Sequence, residues 1–199
     1  MVDSTLCWRP QIAEISRKTF ATFHSLKRWK NFLPIKTKIS IVNSIMLPVL
    51  DYADACYPDL SEELTNKLDR LQNLCIRFIF GLKKYDHVSQ YRSMLGWLPI
   101  KHRRNLHVLS LLYSTLFCPS TPLYLKERFS FLGNPSFHLN LRSQKDNKLS
   151  IPTSNSNSYY NSFSIKAVRL WNELPAEIRQ SPSISVFKNR VKNFYLSMI

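Results

Sequence analysis

Apolar side chains recur every three or four positions along several stretches of the chain, which predicts amphipathic α-helices. The helical pattern covers roughly residues 11–29, 35–50, 60–80, 88–95 and 101–117. Pro48 is expected to kink or end the second helix. In the third, Ser61 is placed to cap the first turn and Gly81 to end the helix in the left-handed conformation. The sequence thus predicts a mainly α fold.

The pattern changes between residues 131 and 161, where polar side chains dominate. Apolar and polar residues alternate from 137 to 142, and Leu149 with Ile151 can form a returning strand, which favours a β-hairpin inside a polar linker. Helical periodicity resumes after residue 162, and Ser183 is placed to cap the last helix. We therefore expect a helical domain over residues 1–130, a linker over 131–161 and a C-terminal helical segment over 162–199.

Basic residues outnumber acidic ones and are unevenly distributed. The chain has 28 Lys and Arg against 13 Asp and Glu, which gives a formal net charge of +15 at pH 7. No acidic residue lies between Glu14 and Asp51, and a second acid-free stretch runs from residue 87 to 126. Such a surplus attracts nucleic-acid phosphates or anionic membrane surfaces. Aromatic residues between the basic clusters favour nucleic acid, and the spread over several helices argues against a membrane.

The cysteine and glycine content argues against several kinds of site. The 4 Cys include no C-x-x-C pair, so the sequence predicts neither a structural metal nor an oxidising compartment. Only 3 Gly are present, which disfavours phosphate-binding glycine loops. The N-terminus has no apolar signal region, and the apolar-rich stretch 106–118 is too short to span a bilayer. We therefore expect an intracellular protein, in the nucleus or cytoplasm, without a membrane partner.

Short motifs in a fixed order give the chain a family resemblance over nearly its whole length. The most specific motif is Trp171-Asn172, followed by Leu174-Pro175. The others, in chain order, are Leu6-Cys7-Trp8, residues 46–52, Leu71-Gln72-Asn73, Asp86-His87-Val88, residues 95–99, Arg103-Arg104 and Tyr124-Leu125. The chain resembles the C-terminal region, thumb and post-thumb, of reverse transcriptases from Jockey-like non-LTR retrotransposons.

This resemblance implies part of an RNA-directed DNA polymerase whose catalytic palm, with its magnesium ions, would lie before Met1. Polymerase chemistry needs paired carboxylates for two metals, whereas Tyr52-Ala53-Asp54-Ala55 has only one of the family's two adjacent aspartates. Asp51 and Asp54 are instead expected at a helix end. We therefore expect no catalytic residue, no metal ligand, no cofactor and no enzyme activity in this chain by itself.

The resemblance further implies a helical thumb that grips template RNA or an RNA–DNA hybrid, with the palm and fingers as additional partners. Ten basic residues are predicted to contact phosphates, which gives position rather than sequence readout. They are Lys27, Arg28, Lys30, Lys36, Lys38, Lys67, Arg70, Arg77, Arg103 and Arg104. The alternative is a degenerate or domesticated helical scaffold that binds proteins and has no nucleic-acid role.

The tryptophans have two interpretations. Trp29, Trp97 and Trp171 can stack on bases, but buried core positions are the more common fate of Trp at helical spacing. We therefore expect all three in the core, with Trp171 packed against the last helix.

Overall fold

The chain is mainly α-helical in the computed structural model, which describes residues 8–132, 146–153 and 156–198. This confirms the predicted fold class. The helices are α1 (Arg9–Lys27), α2 (Ile35–Ile41), α3 (Leu47–Asp51), α4 (Glu62–Phe80), α5 (Ser89–Met94), α6 (Ile100–Phe117), α7 (Leu123–Lys126), α8 (Asn157–Tyr160), α9 (Phe163–Glu173), α10 (Ala176–Arg179) and α11 (Ile184–Leu196). A π-helical turn, Val42–Met46, joins α2 to α3, and a 3₁₀ turn covers Asp54–Cys56.

Two compact units divide the described residues. Unit 1 contains the residues up to Asp54 together with Leu60–Lys101, and unit 2 contains Ala55–Asp59 together with the residues from His102 onward. These limits differ from the boundaries expected near residues 130 and 161, because α6 belongs almost wholly with the C-terminal helices. The two compact units do not test the predicted division into functional segments, which covers residues 1–130, 131–161 and 162–199. That division stays a prediction.

Helix α4 forms the centre of unit 1, and its ends follow the local signals of the sequence. The Ser61 hydroxyl accepts a hydrogen bond from the Leu64 N–H at 3.4 Å, which caps the first turn. Gly81 ends the helix with φ 73°, and its N–H bonds the Arg77 carbonyl. The buried face, which confirms the predicted stripe, includes Leu64, Leu68, Leu71, Cys75, Phe78 and Ile79.

Helix α1 packs alongside α4, and the two run in the same direction. Near their starts, Arg9 forms an ion pair with Glu63 at 2.9 Å. Near their ends, the rings of Phe23 and Phe78 meet edge to face with centroids 6.2 Å apart. In both contacts the α4 residue follows its α1 partner by nearly the same number of residues. The two helices are therefore parallel, and their C-terminal ends lie together.

The segment from Ile35 to Asp51 is helical throughout but contains the π-helical turn just before Pro48. A proline has no N–H and its ring clashes with the carbonyl four residues earlier, so a local widening of the helix accommodates it. The predicted kink at Pro48 thus takes the form of a π turn. By length and composition alone, Ile35–Cys56 can cross a membrane, with a mean hydropathy of 1.2 over its best window and 28% of that window buried. Core helices of soluble proteins pass the same test.

Unit 2 is organised around a cluster of aromatic rings from α6, α9 and α11. Tyr113 stacks on Phe187 with centroids 4.6 Å apart, and Trp171 lies 5.6 Å from Phe187. The Trp171 Nε1–H donates to the Asn147 carbonyl at 2.8 Å, so the indole is both buried and hydrogen-bonded. The predicted packing of Trp171 against the last helix is confirmed.

The polar region is attached to unit 2 by backbone hydrogen bonds. Phe131 and Leu149 form an antiparallel bridge. The Asn172 side chain accepts from the Leu149 N–H at 2.9 Å and donates to the Leu149 carbonyl at 2.8 Å. The predicted first hairpin strand, residues 137–142, lies outside the described residues, so the hairpin itself stays a prediction. The Asn172 side chain thus links α9 to the backbone of Leu149.

Candidate nucleic-acid interface

The ten predicted phosphate contacts are divided between the two units. Arg103 and Arg104 belong to unit 2, and the other eight belong to unit 1. In unit 1, five of the eight have exposed side chains: Lys27, Arg28, Lys36, Lys67 and Arg70. Lys30 and Arg77 are half-buried. The structure therefore presents most of the predicted unit 1 cations to solvent, on α1, α2, α4 and the turn after α1.

Two of the ten residues predicted to contact phosphates have buried side chains, which are poorly placed to reach a phosphate. Lys38 is 9% exposed and Arg104 is 8% exposed. The Arg104 guanidinium donates to the Tyr57 carbonyl and lies 4.6 Å from the centre of the Tyr57 ring. It therefore ties α6 to the segment that contains Tyr57 within unit 2. Sequence alone does not reveal this role, since the burial of a cation depends on chain segments far away in the sequence.

Arg77 has a local structural role as well. Its guanidinium donates to the carbonyls of Lys83 and Asp86, both at 3.2 Å. The Asp86 carboxylate accepts the Lys83 N–H at 2.7 Å, and the Asp86 N–H bonds the Lys83 carbonyl. These bonds close a tight turn with Lys84 and Tyr85 at its centre, directly after α4. Arg77 thus orders a turn that presents other residues to solvent.

The parallel packing of α1 and α4 gathers basic residues at one end of unit 1. We call residues 27–33 and 81–86 the basic tip. Lys30 lies against Gly81: a Cβ atom added to that glycine would be 3.9 Å from the Cε of Lys30. Exposed cations of the tip are Lys27, Arg28, Lys83 and Lys84. The C-terminal ends of both helices carry partial negative charge, which stabilises cations placed there.

Carboxylates neutralise cations elsewhere on α1. Glu14 forms an ion pair with Arg17 at 2.7 Å and with Lys18 at 3.6 Å. The Arg17 guanidinium, through its hydrogen bonds, lowers the pKa of Glu14 to about 2. At the tip, the carboxylate of Asp86 accepts a backbone N–H. The tip itself has five basic residues against the single carboxylate of Asp86, so its formal charge is positive.

The tip also carries exposed aromatic rings. Trp29 is 54% exposed, Phe32 79% and Tyr85 85%. The expectation of a core position is confirmed for Trp97 and Trp171 but wrong for Trp29. Helix α1 ends at Lys27, so Trp29 falls in the following turn instead of continuing the apolar stripe. The flanking Lys27, Arg28 and Lys30 are the signal in the sequence that indicated a solvent-facing position.

A cavity of about 300 Å³ opens between α1 and the α3 segment. It is lined by Gln11, Glu14, Ile15, Lys18, Pro48, Val49 and Tyr52. Because its carboxylate and ammonium groups pair with each other, the cavity has no surplus charge that selects an ionic ligand. Its walls are otherwise largely apolar.

The aspartates near Tyr52 lie at a helix end, as expected. Asp51 is the last residue of α3, and the buried Asp54 begins the 3₁₀ turn. Between them Ala53 takes a left-handed conformation with φ 53°. Carboxylate oxygens suit hard cations such as magnesium, and the expectation that this chain holds no metal ligand stays a prediction.

Comparison with known proteins gives no relative: the chain matches no protein-family model, no curated protein and no solved structure.

Proposed function

We propose that this chain is a nucleic-acid-binding segment that holds RNA or an RNA–DNA hybrid by its phosphates and has no catalytic palm of its own. The observation that carries the proposal is the set of exposed cations on unit 1, namely Lys27, Arg28, Lys36, Lys67 and Arg70. Long basic side chains in such a set bind phosphate oxygens without reading base sequence. The net charge of +15 supplies long-range attraction to a polyanion.

The dimensions of unit 1 suit a short length of duplex. Lys67 precedes Gly81 by 14 residues along α4, which corresponds to about 21 Å at 1.5 Å per residue. A duplex strand advances about 3.4 Å per nucleotide, so this distance is that of about six base pairs. A backbone lying along α4 from Lys67 to the basic tip can meet several cations at once.

The resemblance to reverse transcriptases supports a more specific version of the proposal. The motifs that carry it follow one another in family order across both units, and they are those of a thumb and the region after it. In this version the chemistry belongs to a palm outside this sequence, and the chain's partners include that palm and the fingers.

One observation bears on the alternative, a helical scaffold that binds proteins. The segment containing α2 and α3 exposes large apolar side chains, with Ile35 51%, Ile45 48% and Tyr52 70% exposed. Apolar groups that cluster at a surface mark protein interaction sites. A palm or another protein can cover them, so this surface is compatible with either function.

The salt dependence of binding tests the proposal. For the full chain and a short blunt RNA–DNA hybrid, log K is expected to fall with log salt at a slope of about −3.5 to −4.5 if five phosphate contacts form. Neutralising two of the cations, as in K27Q/R28Q, should make the slope shallower by about 1.4 to 1.8. Fluorescence anisotropy over a series of salt concentrations measures both.

Arg17→Gln is the matched control, since it removes a cation from the same helix that Glu14 already neutralises. Its slope is expected to equal that of the wild type. Absence of binding at low salt, or affinity that does not change with salt, contradicts the proposal. Equal affinity for the hybrid and for an acidic protein at matched salt supports the scaffold instead.

A further inference from the structure

Two of the three exposed rings of the basic tip, those of Trp29 and Phe32, lie on one ordered turn. Successive backbone bonds follow α1: the Trp29 N–H bonds the Leu26 carbonyl at 3.0 Å, and the Phe32 N–H bonds the Trp29 carbonyl at 3.0 Å. The rings of Trp29 and Phe32 meet edge to face, with centroids 6.5 Å apart and planes at 68°. An ordered turn thus presents two aromatic rings that unit 1 leaves largely exposed.

A third exposed ring, Tyr85, lies on the neighbouring turn after α4. Tyr85 is at the centre of the turn closed by Lys83 and Asp86, and the Lys84 ammonium lies 5.3 Å from the centre of its ring. Lys30 against Gly81 brings the two turns to the same end of unit 1. The tip therefore combines aromatic faces with ammonium and guanidinium groups.

Resting on the function proposed above, we propose that the basic tip binds unpaired nucleotides, such as a single-stranded overhang next to a held duplex. Trp29 and Phe32 stack on bases, and Lys27, Arg28, Lys83 and Lys84 bind the flanking phosphates. Sites for single-stranded nucleic acid combine a positive surface with aromatic rings in this way, because every base has a face that can stack. A base in a closed duplex is already stacked on its neighbours and cannot use the rings.

Charge decides between this ligand and another protein or a membrane. Exposed aromatic rings suit all three, but a protein partner with an ordinary surface does not require cations before and between the rings of Trp29 and Phe32. Lys30 and Asn31 also interrupt the apolar positions at Trp29 and Phe32, whereas membrane-inserting segments have a continuous apolar face. The rings and cations together match an oligonucleotide best.

The test compares three probes with the full chain: a single-stranded RNA oligomer, an abasic oligomer of the same length and a blunt RNA–DNA hybrid. The double variant W29A/F32A should bind the single strand about 10- to 100-fold more weakly, as expected for loss of base stacking. Its affinity for the blunt hybrid should stay close to that of the wild type. Wild type should prefer the base-containing oligomer to the abasic one.

Two further variants serve as controls. Trp29→Phe keeps an aromatic face and should retain most single-strand affinity. Tyr124→Ala removes an aromatic ring that is 68% exposed on unit 2 and should change neither affinity. Since Trp29 and Phe32 are exposed, thermal unfolding of W29A/F32A should match that of the wild type.

The outcomes separate this inference from the proposed function. If the wild type binds neither hybrid nor single strand, the proposed function fails, and this inference fails with it. If it binds both while W29A/F32A and the wild type bind the single strand equally, only the stacking site is overturned. Equal wild-type affinity for abasic and base-containing oligomers overturns it as well. Loss of binding to anionic lipid vesicles in W29A/F32A, with oligomer binding unchanged, assigns the tip to a membrane and overturns the inference.

Discussion

Several basic side chains of unit 2 bind its backbone, whereas several of unit 1 are exposed to solvent. In unit 2, Arg104, Lys166 and Arg179 donate to backbone carbonyls of the same unit. In unit 1, cations such as Lys27 and Arg28 are exposed at the ends of helices. A guanidinium that satisfies a buried carbonyl holds the fold together and is not available to a phosphate. Formal charge therefore overstates the number of residues that can bind nucleic acid.

The tryptophans repeat the contrast. Trp171 in unit 2 is fully buried, with its N–H bonded to a carbonyl. Trp29 in unit 1 is more than half exposed, next to other exposed rings. Trp29 therefore differs in exposure both from Trp171 and from Trp97, which is buried in unit 1. The contribution of each side chain to the free energy of unfolding tests this difference between the units.

The largest effect is expected from truncating Trp171. Trp171→Ala should lower the free energy of unfolding by about 3–5 kcal/mol, because it leaves a large cavity among aromatic rings. Trp29→Ala should change it by no more than about 0.5 kcal/mol, as for other exposed positions. Urea unfolding followed by circular dichroism measures both. Equal losses in the two variants would mean that the tip is part of a core.

The next largest effect is expected at Arg179, which is 3% exposed. Its Nε donates to the Asp146 carbonyl at 2.7 Å, and its Nη1 donates to the carbonyls of Asn172 and Leu174. Arg179→Met should cost about 3 kcal/mol, because it leaves inward-facing carbonyls without donors. Urea unfolding midpoints give the measurement.

Lys188→Met is its control, since Lys188 is exposed on α11 of the same unit. It should change the free energy of unfolding by at most about 0.5 kcal/mol. If both variants lose the same stability, the carbonyl bonds of Arg179 do not hold unit 2 together, and the contrast between the units disappears.

The features that the sequence predicted well are those set by local chemistry. The start of α4 at Ser61, its end at Gly81 and the cap of α11 at Ser183 all depend on residues within one turn. The helical end at Asp51 also follows from neighbouring residues. Such signals are readable without knowing the fold.

The features that it missed depend on contacts between distant segments. The burial of Arg104 requires the segment containing Tyr57 to return to α6, and the position of Lys30 requires α1 to lie parallel to α4. Helical periodicity gives the apolar face of each helix but not its neighbour or its direction. For the same reason the sequence does not show which basic residues are buried, and it predicts a core position for Trp29, which is exposed.

The smallest effect is expected at Glu14, whose exposed ion pair with Arg17 shifts its pKa. Arg17 lowers the pKa of Glu14 from 4.5 to about 2. A carboxylate with a lowered pKa in the folded state contributes stability above the unfolded value, and this contribution is lost as the pH falls through the folded value. Glu14→Gln should therefore melt slightly below the wild type at neutral pH, and the difference should vanish between about pH 4.5 and pH 2.

Glu127→Gln, which removes an exposed carboxylate of unit 2, is the control, and thermal melts over this pH range compare the two variants with the wild type. Because the pair is exposed and screened by salt, its effect is modest; a melting difference that persists unchanged down to pH 2 would mean that Glu14 acts through packing and not through its charge.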